Sequence, residues 1–327
     1  MADIKNEFAW SWSRHNMFYE CSRKLYWQYY GSWGGWEDEA PEEAALAYRL
    51  KHVQSVSMLV GQTLHEVVRE RLHMRAAAGG PVPAQQLREE IERRVLKRMR
   101  ESRNRDWERF GSPKTYALLF EDYYGPGLSE RDRDAALELV HECAAGFASN
   151  VYARRAFAVN KDRLLMIDPD AFDTMRIDVD GVIVYAVPDL VVEAEDGKLH
   201  VVDWKTGRSE KVNVAQLAMY GLYVAQKTGS PLDRVVAHVV YVRTGEAQKH
   251  EALQDSVAEA RRRISTYTAD VRSRLTDVEN NVAGDIALFP MTDNLLLCRH
   301  CKFQEICDRR QAPPVAPSID DDEADPA

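Results

Sequence analysis

No run of about 18 apolar residues occurs in this 327-residue sequence, which excludes a membrane-spanning helix. The opening stretch, M-A-D-I-K-N-E-F-A-W, lacks a basic region followed by an apolar one, so no secretory signal is expected and the reading is cytoplasmic. No G-x4-G-K-[ST] phosphate loop is present, so the chain carries no recognisable nucleotide-driven motor. Internal repeats are also missing. Basic charge is in short supply: 43 Lys and Arg face 52 Asp and Glu, a net charge of −9 that argues against a large basic surface. Part of the excess lies in the terminal S-I-D-D-D-E-A-D-P-A, which reads as a disordered acidic tail over 313–327. Basic residues gather instead at 88–105 and in A-R-R-R at 260–263, either as solvated helix faces or as a phosphate-tracking surface.

Cysteine is scarce too, five residues in all, but its placement is informative. Cys298, Cys301 and Cys307 form a C-x2-C-x5-C cluster near one end, and Cys21 lies near the other. In a reducing compartment clustered thiols more often mean metal than disulfide. Thiolates at this spacing bind zinc or an iron–sulfur cluster, and spacing alone leaves both open. Cys21 can be the fourth ligand only if the two ends of the chain meet. Cys143, in A-A-L-E-L-V-H-E-C-A-A-G-F, reads as a small buried hydrophobe.

The pattern of apolar residues predicts an N-terminal aromatic segment over 1–42, with an N-capped helix at 11–30. A helical region follows over 43–160, with helices at about 43–77, 84–109 and 129–158. An α/β core is expected over 161–250. There a strand meander is punctuated by Asp180-Gly181 and Asp196-Gly197, followed by a helix at about 213–228 and a strand at 235–242. A helix of about 251–278 and the cysteine cluster complete a segment over 251–312.

Within that core, Asp189 and Asp203 end two strands joined by an Asp-Gly turn. Neighbouring strands bring such side chains within about 5 Å. Two carboxylates so close repel unless a hard cation lies between them. Lys205, two residues beyond Asp203, faces the same side of its strand. Such a patch can hold Mg²⁺ or Mn²⁺, activate water and stabilise charge on phosphorus. D-x-K alone carries no weight, since it occurs three times here. Only Asp203-Trp204-Lys205 has an upstream Pro-Asp, a preceding V-V and a following amphipathic helix. Read in isolation, Asp203 and Lys205 make an edge-strand ion pair. On the following helix Gln216 and Tyr220 share a face. His65 is a neutral nitrogen ligand on a helix or a structural histidine, and Glu66 reads as solvated.

These pieces together resemble the RecB-type branch of the PD-(D/E)XK nucleases, in particular its iron–sulfur members. The matching stretches are Y-E-C-S-R-K-L-Y-W at 19–27, G-Q-T-L-H at 61–65, V-P-D at 187–189, V-D-W-K-T-G at 202–207, Q-L-A-M-Y at 216–220 and the terminal cysteines. The resemblance implies a restriction-endonuclease-like α/β core, a small mixed sheet flanked by helices, with a large helical insertion. It implies His65, Asp189, Asp203 and the Trp204 backbone carbonyl as Mg²⁺ or Mn²⁺ ligands. Lys205 would be the catalytic lysine, with Gln216 and Tyr220 in support. Cys21, Cys298, Cys301 and Cys307 would hold a [4Fe–4S] cluster that staples the two ends together, with zinc as the alternative occupant. Ser22 stands where the family often has proline.

The implied activity is hydrolysis of DNA, as an exonuclease on single strands or duplex ends, in recombination and repair, CRISPR adaptation or phage DNA processing. A helicase, an integrase or another DNA-processing protein would act as a partner. Trp10, Trp12, Trp27, Trp33 and Trp36 are candidates for stacking bases or for core packing. The competing expectation is a non-catalytic DNA-end-binding or assembly module that keeps the fold.

Overall fold

Every residue from Val235 to Tyr241 is buried. A strand covered on both faces lies inside a layered fold, and its run of β-branched residues suits that place. The structure, a computed structural model, describes residues 5–78, 83–110, 113–158, 163–167, 176–186, 188–208 and 212–307. It places this strand inside a five-stranded mixed sheet with helices packed on both faces.

The chain opens with β1 (Ala9–Ser11) and α1 (Trp12–Glu20), capped by the Ser11 hydroxyl, which accepts from the Arg14 amide at 3.1 Å. The single helix expected over 11–30 is broken. Cys21 adopts an extended conformation, ending α1 and starting α2 (Ser22–Tyr26), and a π-helical turn, Trp27–Gly31, follows. The break lets Ser22 and Arg23 reach across the chain: Ser22 Oγ donates to the Pro290 carbonyl at 2.9 Å, and Arg23 Nε to the Phe289 carbonyl at 2.8 Å.

Next, α3 (Glu42–Leu50), β2 (Val53–Gln54) and α4 (Val56–Ala78) replace the single helix expected over 43–77. The start of α4 is fixed from afar, because the buried Glu121 accepts from the Val56 amide at 2.9 Å. Then come α5 (Ala84–Arg103), α6 (Asp106–Arg109), β3 (Leu118–Leu119), α7 (Phe120–Tyr123), α8 (Glu130–Ser149) and α9 (Val151–Ala158). Asn150 separates the last two and caps α9 by accepting from the Tyr152 amide at 2.8 Å.

The sheet segment holds β4 (Leu164–Ile167), β5 (Arg176–Val179), β6 (Val182–Tyr185), β7 (Leu190–Glu193), β8 (Leu199–Lys205), α10 (Val214–Thr228), β9 (Val235–Tyr241) and β10 (Glu246–His250). It is followed by α11 (Gln254–Arg272), β11 (Leu275–Asp277), β12 (Val282–Ala283) and α12 (Leu295–Arg299). The acidic tail assigned to 313–327 lies outside the described residues.

The expected meander is divided between two sheets. β5 and β6 join β1 in the order β1-β6-β5, whereas β7 and β8 enter the larger sheet, β10-β9-β8-β7-β4. Pro188 lies between the two halves; it has no N–H to continue a ladder. Among the described strands of the larger sheet only β8 and β9 run parallel, the crossover being α10. Of the two Asp-Gly turns, the first has both residues at positive φ, 54° and 78°, whereas in the second only Gly197 does. The polar edge strand β10 and the three-residue β1 carry too little alternation to be read in advance.

Alternate residues of the large sheet supply two cores. Val191, Val201 and Val239 face α10 and α11, packing with Leu217, Tyr223 and Ile264. Leu190, Val202, Trp204 and Val240 face the helical insertion, packing with Leu64, Val140 and Phe147. The insertion is thus the second cover of the sheet. Contact there is close: a Cβ on Gly146 of α8 would fall 1.7 Å from the Val242 carbonyl oxygen. A third cluster joins Trp27, Leu50, Trp107 and Phe303, with Cys301 packed against it. Cys143 is fully buried as expected, and burial pushes its thiol up to about 12.

His238 of β9 is 1% exposed and stacks on His200 with their ring nitrogens 2.9 Å apart. Burial, then His200, Lys249 and Arg155, lower its pKa to about 3, against a weak opposing pull from Glu251. A histidine buried neutral stabilises the fold fully above its unfolded pKa near 6.5, and loses that contribution as pH falls toward 3. We expect His238→Leu to flatten the acid limb of the stability curve, by up to about 1.4 kcal/mol per pH unit. Thermal melts of both proteins from pH 7.5 to pH 4 check this.

Candidate active site

The C-terminal end of β8 is where the two covers of the sheet converge. Leu190 pairs with Val202 across the antiparallel β7–β8 ladder, so Asp189 and Asp203 stand at the next position, opposite one another. α4 approaches from the insertion side and brings His65, whose Nδ1 lies 2.9 Å from Asp189 Oδ1. The other oxygen of Asp189 accepts from the Trp204 amide at 2.6 Å. From the opposite face α10 brings Tyr220, whose hydroxyl donates to Asp203 Oδ1 at 3.0 Å and receives Gln216 Nε2 at 3.2 Å. Lys205 Nζ lies 3.1 Å from Asp203 Oδ2. Six of the residues singled out in the sequence therefore meet at one place: His65, Asp189, Asp203, Lys205, Gln216 and Tyr220. Trp204 joins them through its N–H, whereas the sequence had singled out its carbonyl.

The two carboxylates are treated differently. Burial works to raise Asp189, but the charge and hydrogen bond of His65, the Trp204 amide and Lys205 hold it below the usual carboxylate range. Asp203 is 8% exposed, and burial together with neighbouring Asp189 raises it despite the pull of Lys205. His65 is a third exposed; burial opposes its charged form, but Asp189 and then Asp203 prevail and raise it. Burial and both aspartates push Tyr220 well above its ordinary value, so it remains a donor. Paired groups with divergent proton affinities occur both at chemical sites and in structural ion-pair networks.

All four carboxylate oxygens already meet a protein donor: two at Asp189 from His65 and Trp204, two at Asp203 from Tyr220 and Lys205. Among the described residues, no group of three or more His, Cys, Asp or Glu side chains is arranged to hold a metal ion. A cation entering here would displace His65 or Lys205 from the carboxylates.

Two supports escaped the sequence. Glu66, expected to be solvated, is paired with Arg98 of α5 at 2.6 Å, and the same guanidinium reaches Thr63 Oγ1 at 3.0 Å, which sets the roll of α4. Gly61 lies one turn before His65, where a Cβ would stand 3.1 Å from Thr206 Oγ1, so glycine there lets α4 close on the end of β8. The basic run at 88–105 is largely spent on such pairs, Arg94 holding Glu70 and Glu90. Trp10 and Trp27 are core residues, while Trp33 and Trp36 are exposed and meet edge to face at 5.0 Å.

At the cysteine segment the chain ends do meet, through the Ser22 and Arg23 contacts. Burial lifts the Cys301 thiol to about 11, with Lys24 opposing and Cys21 and Cys307 adding to the rise. Cys307 Sγ lies 3.6 Å from Met291 Sδ. Cys298 sits in α12, three residues before Cys301.

A family model described as the PD-(D/E)XK nuclease superfamily matches residues 9–308. No curated protein matches the chain.

Gln216, Tyr220 and Asp203 act in series, which a double-mutant cycle can read. Tyr220→Phe should cost about 1–3 kcal/mol by leaving a buried carboxylate oxygen without its donor. Adding Gln216→Leu should cost little more, because its bond ends on the missing hydroxyl. Urea unfolding of the two single variants and the double variant checks the coupling.

Proposed function

Because the chain belongs to the PD-(D/E)XK nuclease superfamily, we propose that it is a metal-dependent deoxyribonuclease of the RecB-type iron–sulfur branch, acting as an exonuclease on single strands or DNA ends. The observation that supports this most is the convergence of Asp189, Asp203, Lys205 and His65 at the end of β8. A structural ion pair would need Asp203 and Lys205 alone; it would not need a second, opposed carboxylate.

The donor set, two carboxylates and an imidazole, suits a hard divalent cation. His65, Asp189, Asp203 and the Trp204 carbonyl would hold Mg²⁺ or Mn²⁺, which supplies positive charge at the scissile phosphate and acidifies a water. The chain's own groups do the positioning. Asp203 is fixed by Tyr220 on one oxygen, leaving the other to Lys205. Lys205, released from Asp203, offers its ammonium to the charge that develops on phosphorus. Asp189 is aimed by the Trp204 amide and stays ionised. His65 binds only as a neutral imidazole, so cation and proton compete for it.

Cys21, Cys298, Cys301 and Cys307 would hold a [4Fe–4S] cluster as a structural staple, zinc being the other candidate. The docking of Ser22 and Arg23 on Phe289 and Pro290 supports this, since it brings Cys21 toward the cysteine segment. With no motor of its own, the protein would act beside a helicase or integrase, in repair, CRISPR adaptation or phage DNA processing.

End-labelled single- and double-stranded DNA should be degraded with Mn²⁺ and spared with EDTA. Lys205→Ala should lose all detectable cleavage while keeping the wild-type circular-dichroism spectrum and a cooperative melt; retained cleavage removes Lys205 from the chemistry. Anaerobically purified protein should be brown, with broad visible absorbance. Cys301→Ala should lose that colour and unfold at lower temperature, whereas a colourless wild type holding zinc would replace the cluster in this reading.

A further inference from the structure

A second concavity, about 710 Å³, lies between α1 and α11, away from the carboxylates. That volume is in the range of small-ligand sites. His15, Asn16 and Tyr19 line it from α1, and Arg262, Arg263 and Thr266 from α11. Two arginines of the basic run at 260–263 thus line a shallow cleft.

The α1 wall is a fixed aromatic surface. Tyr19 is 50% exposed, yet its hydroxyl is tied to Asp270 at 2.8 Å, so the ring stays presented. His15 backs it at 4.8 Å and is itself stacked on Trp12 at 5.5 Å with a 22° interplanar angle. His15 is 8% exposed, and its buried Nδ1 has no hydrogen-bond partner among the described residues. Burial and Arg263 lower its pKa to about 4, so this wall is neutral near pH 7.

The α11 wall is cationic. Arg263 lies over the Trp12 ring at 5.5 Å, and Arg262 stands at the rim with its side chain 69% exposed. Both guanidiniums touch Glu259, which places them while leaving further N–H donors on each. The two acids at the cleft are engaged, Glu259 by these arginines and Glu20 by Lys24 at 3.9 Å.

A presented ring and an exposed guanidinium lining one cleft can take a base and its phosphate together. Ser11, the cap of α1, pairs with Tyr185, four residues before Asp189, so α1 starts from a strand that leads toward the carboxylates.

We propose that this cleft seats one nucleotide of a single-stranded nucleic acid, its base against Tyr19 and its phosphate at Arg262, elsewhere on the same strand as the phosphate held at Asp189 and Asp203. The inference rests on the nuclease reading above. On that basis a long single strand should be cleaved with higher kcat/KM than a fragment too short to reach the cleft. Tyr19→Ala and Arg262→Ala should each lower kcat/KM on the long strand by roughly tenfold through KM. Both should leave hydrolysis of bis(p-nitrophenyl) phosphate unchanged, and Tyr19→Phe should restore most of the loss. Equal losses on both substrates, or no loss on either, overturn the cleft assignment.

Anisotropy of a labelled oligonucleotide without catalysis separates the two readings. Weaker binding by the variants with no cleavage by wild type keeps the cleft and removes the nuclease. Unchanged binding removes the cleft whatever the cleavage.

Discussion

The carboxylate of Asp189 is the joint on which the molecule turns. One oxygen faces an imidazole from the helical insertion, and the other receives an amide from the central sheet. A single side chain therefore registers two bodies of structure that share no short-range sequence. Around it, the alternation of the large sheet gives each face a separate cover. Trp204, which lends the amide, is also the indole that Phe147 of the insertion meets edge-on at 5.0 Å. Packing and polar geometry therefore meet at adjacent atoms of one residue, and neither can shift alone.

The site was legible in the sequence to the extent that strand periodicity and helical spacing reach. Side chains two apart on a strand, or four apart on a helix, fall on one face whatever the rest of the chain does. Lys205 with Asp203, and Tyr220 with Gln216, could be grouped on that ground. Asp189 followed from the Asp-Gly turn that makes its strand antiparallel to the next. His65 had no such local tie; it entered through the resemblance of G-Q-T-L-H, and only the fold brings it to Asp189 across 124 positions.

What stayed hidden depends on partners distant in sequence. The helices expected at 11–30 and 43–77 break because residues far along the chain capture their backbone or side chains: Phe289 and Pro290 in one case, Glu121 in the other. The division of the meander needed the partner of β6, and β1 is too short to announce itself. Tryptophans read as one group separated by burial, Trp10 and Trp27 inside, Trp33 and Trp36 outside. Charge patterning alone could not say that Arg94 and Arg98 are committed to acids of the insertion, while Arg262, paired with Glu259, keeps most of its side chain in solvent.

The capture of the Val56 amide by Glu121 reaches further than a helix end. α4 rises about 1.5 Å per residue, so the nine residues from Val56 to His65 set the imidazole about 14 Å above that anchor. A helix is stiff along its axis, and Gly61 leaves no slack where it passes Thr206. The height of His65 over the sheet is therefore gauged from a point outside the α/β core. Variation in the loop before α7 would be felt as misalignment at a place it never touches, and this ties the length of the insertion to the geometry it serves.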